Sequence, residues 1–257
     1  MRSETPFLSV IVPVLNEVRL IGGFLRHLQT LGAGLEIVVV DGGSSDETVS
    51  IARALADRVI VTPRGRAAQM NAGAESARGE ILWFLHADLK APPNAIEEIR
   101  ATLLDPRNAG GCFRLRYPRR EWIYRVSDSL GNLGVQVFGF ALGDHGIFCR
   151  RSAFRQVGGY PIVPILEDAE LYLRLRAVGD MTQLREEIVS DPRTFERTGR
   201  YRTTAVYFLI LALYVLGVPI ARLNKIYRRF SAAYARPSGG DRLAGNSSQR
   251  PRKAEFG

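Results

Sequence analysis

Residues 36–48, EIVVVDGGSSDET, carry the clearest fold signal in the chain, an apolar run that stops at Asp41 and is followed by a glycine-serine turn. An apolar run of this length, bounded by glycines, is typical of a strand that is buried on both faces. The polar residues 44–47, which end in a glutamate, predict that a helix starts there with a capping box. Strand, turn and helix in this order predict one unit of an α/β fold.

Similar units lie on both sides of this stretch. The predicted strands up to residue 105 are 7–14, 36–41, 58–62 and 81–85. The helices predicted between and after them are 16–30, 44–55, 66–76 and 94–104. Beyond residue 105 the pattern predicts a strand at 109–115, a helix at 122–138, a loop and short strand at 143–151, a helical turn at 152–157 and a helix at 168–177. The alternation favours an α/β fold with a doubly wound, mostly parallel sheet flanked by helices.

Acidic residues follow three of the apolar runs, at Asp41, at Asp88 and at the pair Glu167 and Asp168. Ligands of open α/β sheets bind in the crevice at the carboxyl ends of the strands, so we expect these side chains to converge on one site. Carboxylates that share a cleft repel one another unless a cation or a cationic substrate offsets their charge. The pattern therefore predicts a metal-assisted transfer site.

The first two of these acids allow more than one interpretation. Asp41 either contacts a base or ribose or, together with Ser44, caps the next helix. A dinucleotide site is not expected, because no GxGxxG follows a strand here. Asp88 suits a divalent ion that bridges two phosphates. Its neighbour His86 is a second ligand, a donor to phosphate or a packed residue at the strand end.

Glu167 and Asp168 lie at a predicted helix start, behind a loop bracketed by prolines. One carboxylate is expected to deprotonate an acceptor hydroxyl, which requires direct hydrogen-bonding reach. The other interpretation is that the acids stabilise the helix through its dipole, and both roles are compatible. Arg64 and Arg66, next to the third predicted strand, either neutralise phosphate or are ordinary surface arginines.

Composition narrows the classes of partner. A net charge of +9 over 257 residues favours anionic partners such as nucleotide phosphates or anionic lipid headgroups. No nucleic-acid partner is expected, because the sequence has no recognition module. Cys112 and Cys149 are isolated, which predicts buried free thiols in a reducing compartment. The first residues lack the features of a signal peptide, so we expect the fold to start in the cytoplasm.

Four motifs stand in order along the chain: LSVIVPVLNE at 8–17, EIVVVDGGSSDET at 36–48, NAGAESARGEILWFLHAD at 71–88 and ILEDAEL at 165–171. Together they resemble the family 2 glycosyltransferases of the GT-A type, over about residues 7–200. Two further stretches, GRAAQMNAGA at 65–74 and GDHGIFCRR at 143–151, resemble a bacterial subgroup of that family whose acceptors are mostly unassigned.

The resemblance implies an inverting transfer from a nucleotide-diphosphate sugar, with UDP as the expected nucleotide and a divalent metal, Mg²⁺ or Mn²⁺, on the diphosphate. It implies that Glu17 and Asp41 contact the base and ribose. Asp88 would bind the metal, Asp168 would be the general base, and Arg66 would belong to the nucleotide-sugar site. The remaining positions implied to contact acceptor or diphosphate are His86, Asp144, Glu167 and Arg202.

Two features fit the family pattern less closely. The family usually has an aspartate at the position of His86, a departure that bears on metal binding but leaves Asp88 in place. Asp144 would contact the acceptor or act as a turn residue. The basic motif that the family often places near the diphosphate has a loose counterpart in Arg197, Arg200 and Arg202.

Residues 203–221, TTAVYFLILALYVLGVPIA, form an uncharged run with basic residues on both sides. As one helix it would be about 28 Å long, barely the hydrocarbon thickness of a bilayer, and Gly217 and Pro219 weaken its far end. Basic flanks on both sides give no orientation across a membrane. They favour a helix that lies on an anionic cytoplasmic leaflet, with a true span and a buried core or dimer helix as the alternatives.

The sequence thus predicts a GT-A domain at 1–200, an apolar helical membrane-associating segment at 201–232 and a disordered basic tail at 233–257. Within the first domain, a nucleotide-sugar half covers about 7–105 and an acceptor half about 106–200.

We expect a glycosyltransferase at the cytoplasmic face of the cell membrane, with a lipid or membrane-embedded acceptor. His86 suggests one alternative, a nucleotide-sugar binding protein that lacks turnover. A sugar nucleotidyltransferase is the other alternative. Such enzymes usually carry a glycine-rich basic loop after the first strand, where this chain has PVLNEVRL at 13–20.

Overall fold

The structure is a computed structural model and describes residues 6–192 and 199–234. The strands are β1 Leu8–Val14, β2 Leu35–Asp41, β3 Arg58–Val61, β4 Ile81–Phe84, β5 Leu89–Lys90, β6 Asn108–Arg116, β7 Phe148–Arg150 and β8 Asp180–Ser190. The helices are α1 Ile21–Gln29, α2 Thr48–Leu55, α3 Arg66–Ser76, α4 Ala95–Thr102, α5 Trp122–Phe138, α6 Arg151–Gln156, α7 Glu167–Arg176, α8 Arg200–Val215 and α9 Ile220–Tyr234. A 3₁₀ turn covers Gly143–His145.

All eight of these strands form one sheet in the order β3-β2-β1-β4-β7-β6-β8-β5. β3, β2, β1 and β4 are parallel, as are β6 and β8, whereas β7 is antiparallel to both β4 and β6. Because β7 is reversed between the two parallel groups, β6 and β8 run in the same direction as β1 and β4. Their carboxyl ends and the amino end of β7 meet at one edge of the sheet. The predicted fold class, a mostly parallel sheet flanked by helices, is confirmed.

The central strands are buried on both faces, which explains their continuous apolar runs. Val12 and Val39 point into one hydrophobic cluster, and their neighbours Ile11 and Val40 point into another on the opposite face. Helices cover both faces of such a sheet, so polar residues have no favourable position in these strands. Both cysteines are buried and free, as predicted.

The sequence pattern predicts neither β8 nor β5. β8 reads DMTQLREEIVS, and its fully buried positions are only Leu184, Ile188 and Ser190. Irregularities in its pairing with β6 interrupt the alternation that would mark a half-buried strand. The strand is held by its pairing with β6 on one side and β5 on the other, so its strongest determinant is non-local.

Two predicted helix starts are wrong. The helix predicted from residue 16 begins at Ile21, after a turn in which Asn16 has a positive φ of 55°. The capping box predicted at residues 44–47 does not form. Instead the carboxylate of Asp46 accepts a hydrogen bond from the backbone N–H of Thr48, at 3.0 Å.

Residues 203–221 do not form one helix. α8 ends at Val215 and α9 starts at Ile220, and between them Gly217 has a φ of 79°, which glycine adopts without strain. The helices form an antiparallel hairpin in which the Arg202 guanidinium lies 5.3 Å from the centroid of the Phe230 ring. Over residues 6–192 and 199–234, we find no helix with the length and apolar character that a membrane span requires.

The helical hairpin packs against the rest of the domain. The hydroxyl oxygens of Ser127 on α5 and Thr204 on α8 are 3.4 Å apart, and Tyr214 on α8 donates a hydrogen bond to Glu170 on α7 at 2.7 Å. α9 continues to Tyr234, past the predicted boundary at 232. Most of the predicted disordered tail, residues 235–257, lies outside the described residues, as does Arg197.

Candidate active site

A cleft of about 900 Å³ opens at the sheet edge where the carboxyl ends of β1, β4 and β8 meet. It brings together segments that are far apart in the sequence, as expected for the switch point of an open α/β sheet. Most of the predicted site residues line this cleft, and these are Glu17, Arg64, Arg66, His86, Asp88, Asp144, Glu167 and Asp168.

His86 and Asp168 meet at Gly143. A Cβ atom at position 143 would lie 2.4 Å from His86 Nε2 and 2.8 Å from Asp168 Oδ2, closer than non-bonded atoms approach. Only glycine leaves room there for both side chains. The turn before β7 thus holds an imidazole from the end of β4 next to a carboxylate from the start of α7.

Asp168 has the electrostatic environment of a general base. Burial raises the pKa of its carboxyl group most, and the adjacent Glu167 raises it further. Arg66 and Tyr160 act in the opposite direction, and the resulting pKa is about 7. Oδ1 of Asp168 is buried and accepts no hydrogen bond from any described residue. A carboxylate with a free oxygen and a pKa near neutrality is well suited to accept a proton.

Tyr160 lies close enough to Asp168 to lower the pKa of that carboxyl group, yet the two side chains do not reach hydrogen-bonding geometry. The Tyr160 hydroxyl is itself buried and has no partner among the described residues. Unpaired buried polar atoms are costly. Of these two groups Asp168 lines the cleft and Tyr160 does not, so Asp168 is the one that a polar group of a substrate could reach.

Arg66 covers the acidic pair from the mouth of the cleft. Its Nη1 lies 3.2 Å from Glu167 Oε1, and 57% of its side chain is exposed while Glu167 is buried. An ion pair with one exposed partner adds little to stability. Its larger effect is chemical, because the guanidinium offsets two adjacent carboxylates and presents donors that suit a phosphate.

His86 is neutral at physiological pH. Burial is the main cause that lowers its pKa to about 3, and the positive charge of Arg66 adds to the effect. A neutral imidazole has one donor and one acceptor nitrogen and can also bind a metal. Nε2 lies against Gly143, the same residue that Asp168 Oδ2 approaches.

Asp144 is both a turn residue and a cleft residue. It belongs to the 3₁₀ turn at Gly143–His145, and its Oδ2 accepts a hydrogen bond from the Tyr117 hydroxyl at 3.3 Å. Tyr117 follows the end of β6 directly. The two interpretations of Asp144 given by the sequence are therefore compatible, and its contact with an acceptor stays a prediction.

Two non-glycine residues of the described chain have a positive φ, and both line the cleft. Asn16 tolerates this conformation, and its side-chain oxygen accepts a hydrogen bond from the Ser45 N–H at 2.8 Å. Leu166, with φ at 62°, has no such compensation, and the strain costs about 1–2 kcal/mol. It precedes Glu167 and Asp168 directly, so the strained residue sets where the acidic pair enters the cleft.

Asp41 lies beside the cleft and does not line it. Its Oδ2 accepts hydrogen bonds from the N–H groups of Gly43 and Ser44, both at 2.8 Å, and its Oδ1 accepts one from the Ser44 hydroxyl. The carboxylate therefore shapes the turn after β2. Its contact with a nucleotide stays a prediction, and the interpretation in which Asp41 and Ser44 cap α2 is not what the structure shows, since α2 starts at Thr48.

Arg202 also lies outside the cleft lining. It stacks on Phe230 within the helical hairpin, where the sequence predicts a contact with the diphosphate or the acceptor. That contact stays a prediction.

Sequence analysis assigns no role to Gln69 and Asn71 of GRAAQMNAGA, and the structure supplies one. Gln69 donates hydrogen bonds to the carbonyl oxygens of Val14 and Val40, at 3.0 and 2.8 Å, where β1 and β2 end. Asn71 binds both the N–H and the carbonyl of Tyr160, at 2.8 and 2.9 Å. Through these hydrogen bonds the motif connects helix α3 to the ends of β1 and β2 and to the loop before Asp168. Two amides on an otherwise small, apolar helix were the available signal.

The cleft has an apolar side that sequence reasoning did not assign to the site. It is formed by the loop before α7 and by both helices of the hairpin, with the residues Pro164, Ile165, Leu166, Tyr207, Ile210, Leu211 and Tyr227. No local motif indicates that these residues belong to a site, because apolar side chains at helical spacing are usually core residues.

The donor set for a metal is small. Within residues 6–192 and 199–234, no cluster of three or more His, Cys, Asp or Glu side chains could hold an ion alone. Cations that act on nucleotide phosphates commonly use one or two carboxylates and take their other ligands from phosphate and water. Asp88 fits this pattern, and the neutral His86 is a possible second donor, so the residues present fit a metal bound together with a diphosphate.

A family model described as Glycosyl transferase family 2 matches residues 9–157, more than half of the chain. The chain belongs to glycosyl transferase family 2. The predicted family and the prediction of an enzyme are confirmed. The matched region contains β1 to β7, with Glu17, Asp41, Arg66, Asp88 and Asp144, and stops before Asp168.

Curated relatives share the name undecaprenyl-phosphate 4-deoxy-4-formamido-L-arabinose transferase. The protein of Pseudomonas fluorescens is 34% identical over 164 residues, which cover 58% of this chain and 47% of the relative. The protein of Salmonella paratyphi B is 32% identical over 162 residues, which cover 58% and 48%. The chain therefore spans about half the length of the curated relatives it matches.

Solved structures show the same fold. The mannosyltransferase PcManGT from Pyrobaculum calidifontis, in complex with GDP-Man and Mn²⁺, matches with a TM-score of 0.63 and 20% identity, over 90% of this chain and 72% of that one. S. aureus TarS 1-349 in complex with UDP-GlcNAc matches with a TM-score of 0.56 and 16% identity, over 72% and 58%. At these identities the likeness concerns the fold.

Proposed function

We propose that this chain is an inverting, metal-dependent glycosyltransferase that moves a sugar from a nucleotide-diphosphate sugar to a lipid-like acceptor at the cytoplasmic face of the cell membrane. The observation that carries the proposal is the unpaired, buried carboxylate of Asp168 in the same cleft as Asp88 and Arg66. The names of the curated relatives support an acceptor of the lipid-phosphate class. The ligands named for the two structural neighbours support a nucleotide-sugar donor and a divalent ion.

On the donor side, Glu17 and the Asp41 turn would contact base and ribose, and Asp88 would hold the metal. A divalent cation between Asp88 and the diphosphate would neutralise charge on the departing nucleoside diphosphate. Arg66, and Arg64 near it, would stabilise the same charge from the mouth of the cleft. UDP is the first nucleotide to test, and GDP is the second.

On the acceptor side, Asp168 would take the proton of an acceptor hydroxyl while that oxygen attacks the anomeric carbon. The bond to the diphosphate breaks on the opposite face of the sugar, so a single displacement inverts the anomeric centre. His86, which meets Asp168 at Gly143, would orient the attacking group, and Tyr160, outside the cleft lining, would act on the pKa of Asp168. A lipid phosphate monoester keeps one proton in its singly ionised form, and with such an acceptor Asp168 would take that proton while the phosphate oxygen attacks the anomeric carbon.

Donor binding is tested by thermal melting with UDP or GDP, with and without Mn²⁺. A ligand at about 100 times its dissociation constant adds about 2.7 kcal/mol to the free energy of unfolding, a shift of several degrees. We expect a shift that needs the metal and that Asp88→Ala abolishes. Asp180→Ala removes an exposed carboxylate outside the cleft and is the matched control. Equal shifts in Asp88→Ala and wild type would contradict the assignment.

Catalysis is tested with Asp168→Asn, which keeps the shape of the side chain and removes the base. With undecaprenyl phosphate or a bacterial lipid extract as acceptor, we expect sugar transfer to fall on the order of 10²–10⁴-fold while the nucleotide-induced melting shift stays. Asp180→Asn serves as the matched control. Transfer at the wild-type rate in Asp168→Asn would show that another group acts as the base.

A further inference from the structure

Helix α5 turns an apolar face to the outside of the protein. Five large apolar residues spaced three or four positions apart are exposed on it, and they are Trp122, Val126, Leu130, Leu133 and Val137. This spacing places them on one stripe of the helix. The outer face of a helix that meets only water is normally polar, and contiguous exposed apolar patches mark interaction sites.

Helix α8 carries a second stripe with the same spacing. Its exposed members are Tyr201, Ala205, Leu209, Ala212 and Leu216, the last of these just past the helix end. Each follows its counterpart on α5 by the same number of residues. The opposite side of α8 is occupied inside the domain, since Tyr207, Ile210 and Leu211 line the cleft.

The two stripes lie side by side and form one surface, which we name the two-helix surface. At one end the ring centroids of Trp122 and Tyr201 are 5.9 Å apart. Further along, the hydroxyl oxygens of Ser127 and Thr204 are 3.4 Å apart. These contacts join positions at nearly the same separation in sequence, so the helices run in the same direction and the stripes are in register.

Basic side chains border one end of this surface. Near the starts of α5 and α8 the exposed arginines are Arg119, Arg120, Arg125, Arg200 and Arg202. The nearby acid Glu121 is paired with Arg200, at 2.7 Å between Nη1 and Oε1. An apolar stripe with cationic residues at its border matches the acyl and headgroup layers of an anionic leaflet, to which each basic residue near the surface adds attraction.

We propose that the folded chain binds an anionic bilayer through the two-helix surface, formed jointly by α5 and α8. This inference rests on the proposed function, because a lipid-like acceptor requires the chain to reach a membrane. It adds which surface of the chain makes that contact. α8 then separates the bilayer from the cleft, so a lipid-linked acceptor would enter along this helix. A second copy of the chain is a poorer occupant, because α5 and α8 carry a single acidic residue, Asp128, to pair with the arginines of a facing copy.

The test uses flotation of the full chain with vesicles of phosphatidylglycerol and phosphatidylethanolamine, and with vesicles of phosphatidylcholine alone. We expect binding to the anionic vesicles that weakens with salt, and little binding to the neutral ones. Leu130→Glu with Leu209→Glu should lower the partition coefficient by on the order of 100-fold, since each leucine contributes roughly tenfold. The control is Leu104→Glu, at a residue that is 79% exposed and outside both helices.

A second measurement follows the fluorescence of the two tryptophans in the wild-type chain. Trp83 is fully buried in the core, whereas Trp122 is 61% exposed on the two-helix surface. With anionic vesicles that contain brominated lipid, the exposed tryptophan should be quenched and the buried one should not. Trp122→Phe should remove the quenched component.

Three results would overturn the proposal. The first is equal binding of wild type and the double glutamate variant to anionic vesicles. The second is the absence of both vesicle binding and quenching by brominated lipid. The third is a wild-type dimer in sedimentation experiments that is absent in the double glutamate variant, together with no binding of the wild type to vesicles. This result would assign the surface to a second copy. The nucleotide-induced melting shift does not involve this surface, so failure here and failure of the proposed function are distinguishable.

Discussion

The two sides of the cleft differ in chemistry and in the way the sequence encodes them. The donor side carries charged residues such as Glu17, Arg64 and Asp88, which come from loops after early strands. The other side, which we call the acceptor side, presents Leu211 and Tyr227 from the helical hairpin near the end of the described chain. A nucleotide diphosphate needs fixed charges and can be met by short motifs, whereas an apolar acceptor needs surface area that several elements supply together. The difference supports a division of the cleft between a polar donor and a lipid-like acceptor.

Among the changes that probe the boundary between the two sides, the largest effect is expected at Gly143. In Gly143→Ala the new Cβ would overlap His86 and Asp168, so both must move from their positions. A displacement of this size misaligns the reacting groups, and we expect sugar transfer to fall on the order of 100-fold. The nucleotide-induced melting shift should change little, because no atom of Asp88, the residue that would hold the metal, is among those nearest to the new Cβ.

The matched control for that variant is Gly23→Ala on α1, where a Cβ meets no atom within 4 Å. It should leave transfer and melting close to wild type. Undiminished transfer in Gly143→Ala would mean that the positions of His86 and Asp168 at Gly143 are not needed for the reaction, and the two sides would then be less closely coupled than the structure indicates.

A smaller effect is expected from the apolar side alone. In Leu211→Asn a polar side chain replaces apolar surface in the cleft, and we expect the KM for a short-chain, water-soluble acceptor analogue to rise roughly tenfold. The KM for the nucleotide sugar should stay unchanged. The analogue removes any effect of membrane binding, and Leu104→Asn, outside the cleft, is the control. An increase in the donor KM instead would show that the two sides do not separate the two substrates.

The smallest effect is a shift in pH dependence. Asp168 is active as a base only when ionised, so the rate should rise with pH through its pKa of about 7. The positive charge of Arg66 lowers that pKa, and in Arg66→Ala the midpoint of kcat/KM against pH should move to higher pH. In Arg64→Ala, at a cleft residue that is not among the main influences on this pKa, the midpoint should stay. A midpoint that moves to lower pH would exclude Asp168 as the titrating group.

Residues 7–105 were predictable because their signals are local. Strands β1 to β4 are short apolar runs between turns, and helix α3 is found at the predicted residues 66–76. The parallel strands end at one edge of the sheet, which is why Asp41 and Asp88 could be predicted to converge. Asp88 lines the cleft, and Asp41 lies beside it. Residues 106–192 were less predictable, because β8 is polar and depends on pairing with β6, more than sixty residues away in the chain.

The sequence by itself determined the family, the α/β fold, the carboxylates of the cleft and the apolar character of residues 203–221. These follow from short-range patterns of polarity and from motifs that occur within single segments. Only the tertiary structure decided that Asp168 is buried beside His86 and Gly143, that Asp41 belongs to a turn next to the cleft, and that the stripes of α5 and α8 form one surface. Burial, pKa and the continuity of a surface depend on which segments pack together, and the order of residues along the chain does not contain those contacts in any local form.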